Sequence, residues 1–286
     1  MRIRQCVVAI VATVLVAPRL LGQPTPLSDS SFVSSCDAAL HKLTRVQEEV
    51  RDMHPFLQTA HPVAVVEGDD LYIFAFDSVR HGYTFAKKVP APFPMPRGIR
   101  ASFPLDSYGG RPTCVVSREV FDSMQGYATV LHEFIHCTQF LTCENELKQG
   151  LRIAKEAALS HKYSWEINHP FPYEDPAFVR SYARYLEALA TGDTGSALPL
   201  RRALRRQLSD TDREYMVWVE WKEGFARYIE NEVRSRYGLE ANRGGMEQPY
   251  NRVAFYYGGE TFIRRVFNGG RSHPIDVRAL FSTMMF

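Results

Sequence analysis

Apolar residues recur at two spacings along this chain, and the spacing changes partway. Between Cys36 and Met53, Leu40, Leu43 and Val46 fall on one side of a helix of 3.6 residues per turn. The stretch VAVVEGDDLYIFAFDS, residues 63–78, is instead rich in β-branched and aromatic residues and reads as two strands around a turn at Gly68-Asp69. VPAPFPMPRG, residues 89–98, carries four prolines and reads as a loop. A short strand is expected from Thr113 to Ser117. Asp122 or Ser123 can then cap a helix running to about Leu141.

Helical spacing dominates from there. Helices are expected over Glu144 to Trp165, over Ala177 to Ala190 with Gly192 as its stop, and over Leu198 to Leu208. Thr211-x-x-Glu214 reads as a capping box for a long helix reaching Tyr237, which Gly238 ends. A last helix is expected from Val253 to Phe267, between Gly-rich loops. The fold class is therefore α+β. One domain is expected over residues 36–286, with a small mixed part at 36–120 and a mainly helical part at 121–286.

The first residues have a different character. Arg2 and Arg4 precede an apolar run, Cys6 to Ala17, that only Thr13 interrupts and Pro18 ends. Such a run is shorter than the about 20 residues a membrane span needs, so residues 1–22 read as a secretory signal peptide. Residues 23–35, rich in Pro and Ser, read as a linker. The expected setting is secreted or periplasmic, with no stable membrane span once the signal is removed. Composition adds limits: 45% hydrophobic residues are too many for a disordered chain, and a net charge of +2 gives no reason to expect nucleic acid.

Beyond the signal stand Cys36, Cys114, Cys137 and Cys143, an even number that suits disulfides in an exported protein. If Cys137 and Cys143 share a helix, six residues separate them by about 9 Å, too far for a bridge. Oxidised pairings would then join Cys36 and Cys114 to Cys137 and Cys143. Buried thiols are the alternative.

The chemistry concentrates in TVLHEFIHCTQF, residues 129–140. Positions four apart on a helix differ by about 40°, so His132 and His136 face the same way and can share one metal ion. Glu133 lies beside His132 and can reach a water on that ion without binding the ion itself. Val130, Leu131, Phe134 and Ile135 would bury this helix, and buried imidazoles need partners. Two core histidines bonded to backbone carbonyls are the plain alternative. A catalytic zinc site usually has three protein ligands, so a third should come from another helix.

The segment WVEWKEGFARYIE, residues 218–230, supplies candidates. Its EGFARY resembles the E-G-F-A-x-Y segment of gluzincin metallopeptidases, especially the aminopeptidase branch. Together with HEFIH, the resemblance implies a zincin-like fold, Zn2+ held by His132, His136 and Glu223, and Glu133 as general base. Glu223 stands 87 positions after His136, a longer interval than in those enzymes, and Lys222 replaces their usual asparagine. Glu220, Glu230 and Glu187 compete for the ligand position. The resemblance also implies a tyrosine, sometimes with an arginine, that holds the oxyanion. Tyr256 and Tyr257 are candidates for it, with Arg252 one turn earlier.

The expected activity is hydrolysis of a peptide bond in a peptide or protein substrate. A secreted binding protein with a metallopeptidase-like fold and a structural or vestigial zinc is the alternative. The remaining features read blandly. Trp218, Trp221, Phe225 and Tyr228 are core, RRALRRQ at 201–207 is a wet helix face, and His54, His61, His161, His169 and His273 are loop or surface residues. The strand Thr113 to Ser117, by position and resemblance, could be a sheet edge for an extended peptide.

Overall fold

The computed structural model describes residues 29–267 and 274–285, which divide into two compact units. One extends to Cys137 and the other begins at Thr138. The expected signal peptide, Cys6 and His273 lie outside the described residues. So does the linker up to residue 28. From Asp29 the chain is already helical, which corrects the linker reading for 29–35. Helix α1 spans Asp29–Val50, and its buried positions Phe32, Cys36, Leu40 and Leu43 keep one face. The serines that resembled a linker lie largely on the face turned away from the core.

The N-terminal unit is built on five strands, β1 (Val63–Glu67), β2 (Asp70–Asp77), β3 (Gly82–Pro90), β4 (Arg100–Leu105) and β5 (Arg111–Ser117). They form one mixed sheet in the order β3-β2-β1-β5-β4. The β1–β2 hairpin closes at Gly68-Asp69 as expected, with Glu67 opposite Asp70 and Gly68 at φ 59°. That left-handed conformation is what glycine tolerates there. β1 and β5 are parallel, while β2–β3 and β4–β5 are antiparallel.

β5 is paired on both sides, so it is not the sheet edge expected of it; β3 and β4 are the edges. One face of the sheet packs a core of Leu71, Ile73, Ala101, Phe103, Leu105 and Val115 with Ala64, Val89 and Ile99. On α1, Phe32 meets Tyr72 of β2 with ring centroids 4.4 Å apart. Helix α2 (Met124–Gln139) follows a short turn and carries HEFIH. Ser123 caps it as expected, accepting from the Gly126 N–H at 3.2 Å. The Tyr127 hydroxyl donates to the Ala39 carbonyl at 3.3 Å, tying α2 to α1.

The C-terminal unit is helical. Where one helix was expected over Glu144 to Trp165, there are three: α3 (Asn145–Gly150), α4 (Arg152–Leu159) and α5 (Trp165–Asn168). Leu151 breaks the run at an extended ψ of 133°, and Glu214 accepts from the Ile153 N–H at 2.8 Å, satisfying a donor at the start of α4. Then come α6 (Pro176–Thr191) and α7 (Thr194–Gln207). The 27-residue α8 (Asp210–Arg236) is followed by α9 (Arg252–Phe262) and α10 (Val277–Met285). The cap of α8 is Ser209, whose hydroxyl accepts from the Asp212 N–H, and not the expected Thr211. Glu214, the other half of the expected capping box, serves α4 instead. Among the described residues no helix is long and apolar enough to cross a membrane.

α8 and α9 cross at glycines. A Cβ on Gly224 would lie 2.6 Å from the Gly259 Cα, and one on Gly259 would lie 2.0 Å from the Glu220 carbonyl oxygen. No side chain fits in that gap, so backbone approaches backbone. This crossing brings the residue before Gly224, which is Glu223, toward the first turns of α9.

Candidate metal centre

His132 and His136 lie on the same face of α2, as their spacing requires, and both are buried. Their Nε2 atoms are 3.1 Å apart. Two imidazole nitrogens bound at about 2.0–2.1 Å to one tetrahedral ion stand about 3.3 Å apart, so the pair already has the separation of two ligands. Glu223 completes the group. Each of His132, His136 and Glu223 offers one ligand atom, and the three atoms lie within 4.8 Å of one another. All three residues are buried, and together they could hold a metal ion. Two nitrogens and one carboxylate oxygen form a donor set that suits zinc and other divalent transition metals. Glu133, also buried, sits next to His132 on the same helix.

The other carboxylates that competed for the ligand position are engaged elsewhere. Glu220 is fully buried, with Arg201 Nη1 at 2.6 Å and the Tyr182 hydroxyl at 3.5 Å. Burial raises its carboxyl, with Arg201 pulling the other way. Arg201 is therefore buried and paired, which corrects the wet-face reading at that position. Glu230 pairs with Arg234 at 2.9 Å, and Glu187 is exposed.

Glu223 has a neighbour from α9. Arg252 Nη2 donates to Glu223 Oε1 at 2.9 Å, Nε donates to the Glu166 carbonyl oxygen at 3.0 Å, and Nη1 donates to the Tyr256 hydroxyl. Burial works against the Arg252 charge, but Tyr256 and Glu223 outweigh it and keep the guanidinium protonated. Tyr256 is half-buried, and its ring also lies under the Arg227 guanidinium at 4.9 Å. Of the two candidate tyrosines, Tyr256 is linked to Glu223 through one arginine. Tyr257 is buried one position further round the helix, and its carbonyl accepts from Thr261.

Next to Glu223 lies a group that the sequence did not reveal. The Lys222 ammonium reaches Glu144 at 3.0 Å and Glu166 at 2.9 Å, and Lys148 reaches the same two carboxylates at 3.0 and 2.6 Å. Trp218 Nε1 adds a bond to Glu166 Oε2 at 3.0 Å. Burial opposes the charge of the Glu166 carboxyl, but Lys222 and Lys148 hold it well below the ordinary range. Lys222 likewise stays above its ordinary range, because Glu144 and Glu166 overcome its burial. The only signal in the sequence was Lys222 itself, a charge at a position flanked by core residues.

The remaining expectations divide. Trp218, Trp221 and Phe225 are fully buried core residues, as read. His54 and His61 are buried rather than superficial. His54 Nδ1 accepts from the Phe56 N–H, and His61 packs its ring edge-on to Phe134 at 5.5 Å. His169 pairs with Asp212 at 2.6 Å. Cys36, Cys114, Cys137 and Cys143 are buried and not joined in disulfides, where pairing was expected. No protein-family model, no curated protein and no solved structure matches this chain.

Proposed function

We propose that this chain is a zinc-dependent peptidase that hydrolyses peptide bonds in a peptide or protein substrate. The observation that carries the reading is the convergence of His132, His136 and Glu223 within 4.8 Å, with a glutamate beside the first histidine. A purely structural site has no need of Glu133 there. The resemblance of HEFIH and EGFARY to gluzincins names the same four residues, and the signal-like first 22 residues suit a secreted or periplasmic enzyme.

Zinc bound by these three side chains would leave a position for water, lower the pKa of that water to about 7 and polarise a substrate carbonyl. Glu133 is the general base: its carboxylate takes a proton from the attacking water and passes it to the leaving amine nitrogen. Tyr256 donates its hydroxyl to the carbonyl oxygen as negative charge grows there. Arg252, already donating to that hydroxyl oxygen, makes the Tyr256 proton a stronger donor and holds its direction. The buried setting strengthens each of these interactions relative to water.

Metal analysis of the purified protein and hydrolysis of unstructured protein substrates test the reading. Glu133→Gln is expected to fold and keep one zinc per chain while losing hydrolysis by at least about 100-fold, the usual contribution of a general base. His132→Ala is expected to lose the metal. A folded wild-type chain without stoichiometric zinc refutes the site. A zinc-loaded chain that cleaves none of the substrates supports a binding protein with a vestigial centre instead.

A further inference from the structure

We propose that Arg252 is the positioning residue for the ligand carboxylate of Glu223, and that Glu166 holds Arg252 in place. The proposal rests on reading His132, His136 and Glu223 as one metal site. A glutamate side chain turns about three bonds, and a carboxylate offers two equivalent oxygens. A ligand of this kind is useful only when something chooses the rotamer and the oxygen. Arg252 makes that choice: its Nη2 binds Oε1 at 2.9 Å and so fixes how the carboxylate is turned.

The guanidinium is itself fixed at all three of its nitrogens, by Glu223, by the Glu166 carbonyl at 3.0 Å and by the Tyr256 hydroxyl. A planar fork with three separate partners has one orientation, which a lysine ammonium could not reproduce.

Glu166 acts from both of its ends. Its carbonyl receives Arg252 Nε, while its carboxylate receives Lys222, Lys148 and the Trp218 indole N–H. Lys222 is the residue just before Glu223. The same short helix α5 therefore grips α8 immediately before the ligand and α9 through the arginine that holds the ligand. Such buried ion pairs are weak sources of net stability, and fixing one arrangement is the use they are best suited to.

The sign of one measurement separates this role from a merely electrostatic one. A guanidinium beside a divalent cation repels it, so an arginine that contributed only charge would weaken metal binding, and its removal would tighten binding. A positioning arginine does the reverse. Zinc affinity is to be measured by chelator competition for the wild type, Arg252→Ala, Arg252→Lys and His132→Ala, with the visible spectrum of each cobalt(II)-loaded protein as a report on coordination geometry.

Arg252→Ala is expected to bind zinc about 10- to 100-fold more weakly, the usual effect of losing a partner that orients a ligand. Arg252→Lys is expected to fall between it and the wild type, with an altered cobalt spectrum. Zinc binding by Arg252→Ala that equals or exceeds the wild type, while His132→Ala binds none, overturns the positioning role and leaves the metal site standing. Stoichiometric binding by His132→Ala overturns the metal site and the proposal with it. If Arg252→Ala does not fold, Arg252→Lys decides: wild-type affinity with an unchanged cobalt spectrum overturns the proposal.

Discussion

His61 shows how burial alone turns a residue into a liability. Its imidazole is 2% exposed, and burial lowers its pKa to about 4 from an unfolded value of 6.5. The folded-state value is depressed, so the folded protein resists a proton that the unfolded chain accepts. Stability from this group is fully present above about pH 6.5 and is lost as the pH falls toward 4. A loss of up to about 3 kcal/mol is expected over that window. Urea unfolding midpoints measured from pH 7.5 to 4 should fall for the wild type and fall less steeply for His61→Phe. Parallel curves would show that other groups carry the acid sensitivity.

At the same scale, the sequence made HEFIH legible because its geometry is local. Four residues on one helix bring two imidazoles together whatever the rest of the chain does. Glu220 was a fair competitor for Glu223 on spacing alone, since both lie on α8. What separates them is Arg201, 19 positions earlier, which takes up the Glu220 carboxylate. No local pattern announces that pairing. The same holds for Tyr256 against Tyr257, adjacent in the chain and separated by the reach of Arg252.

Among the elements, the α8–α9 crossing leaves no room for a side chain. Gly259→Ala would push a methyl to within 2.0 Å of the Glu220 carbonyl oxygen, which is backbone and cannot rotate away. The helices must separate, and overpacking of this kind costs about 1–3 kcal/mol or more. Thermal melting should show a clearly lowered midpoint for Gly259→Ala. Gly150→Ala, where nothing lies within 4 Å, should melt at or slightly above the wild-type temperature. If the two melt alike, the close approach of α8 and α9 is wrong. Because Glu223 and Arg252 sit on these two helices, Gly259→Ala should also weaken the binding of a metal ion added to the protein.

The elements that sequence spacing overlooked have specific causes. β3 is an edge strand with Lys87 and Lys88 exposed, so it lacks the apolar alternation that marks a half-buried strand. In β4, Ala101, Phe103 and Leu105 do alternate inward, but Pro104 disguises the run; an edge strand tolerates it. α10 buries Val277, Leu280, Phe281 and Met284 at the spacing of one helix face, a readable pattern so short that the preceding Gly-rich loop obscured it. The break at Leu151 had one local marker, Gly150 at the end of α3, and a lone glycine inside a helical pattern is too weak a signal to end it.

For the whole molecule, metal and stability should be linked. An ion that binds only the folded chain stabilises it by about 2.7 kcal/mol at a free concentration 100 times its dissociation constant. Dialysis against a chelator is expected to lower the melting temperature, and added zinc to restore it. His132→Ala should melt at one temperature in both conditions. A wild-type melting temperature indifferent to chelator and to zinc would argue that no ion joins the three side chains.

The chain's own sequence determined whatever depends on neighbours a few residues away: the α+β class, the facing pair of histidines, a cap at Asp122 or Ser123 and the tight β1–β2 turn. Helical and strand periods are written into every few positions, and a short segment can be read alone. Only tertiary structure decided which of four glutamates meets the histidines, which strands lie at the sheet edges, and that Lys222 and Lys148 converge on the buried carboxylates of Glu144 and Glu166. Those outcomes rest on contacts between residues tens of positions apart, where glycine-permitted helix approach and the need to pair buried charge select one partner among chemically equal choices.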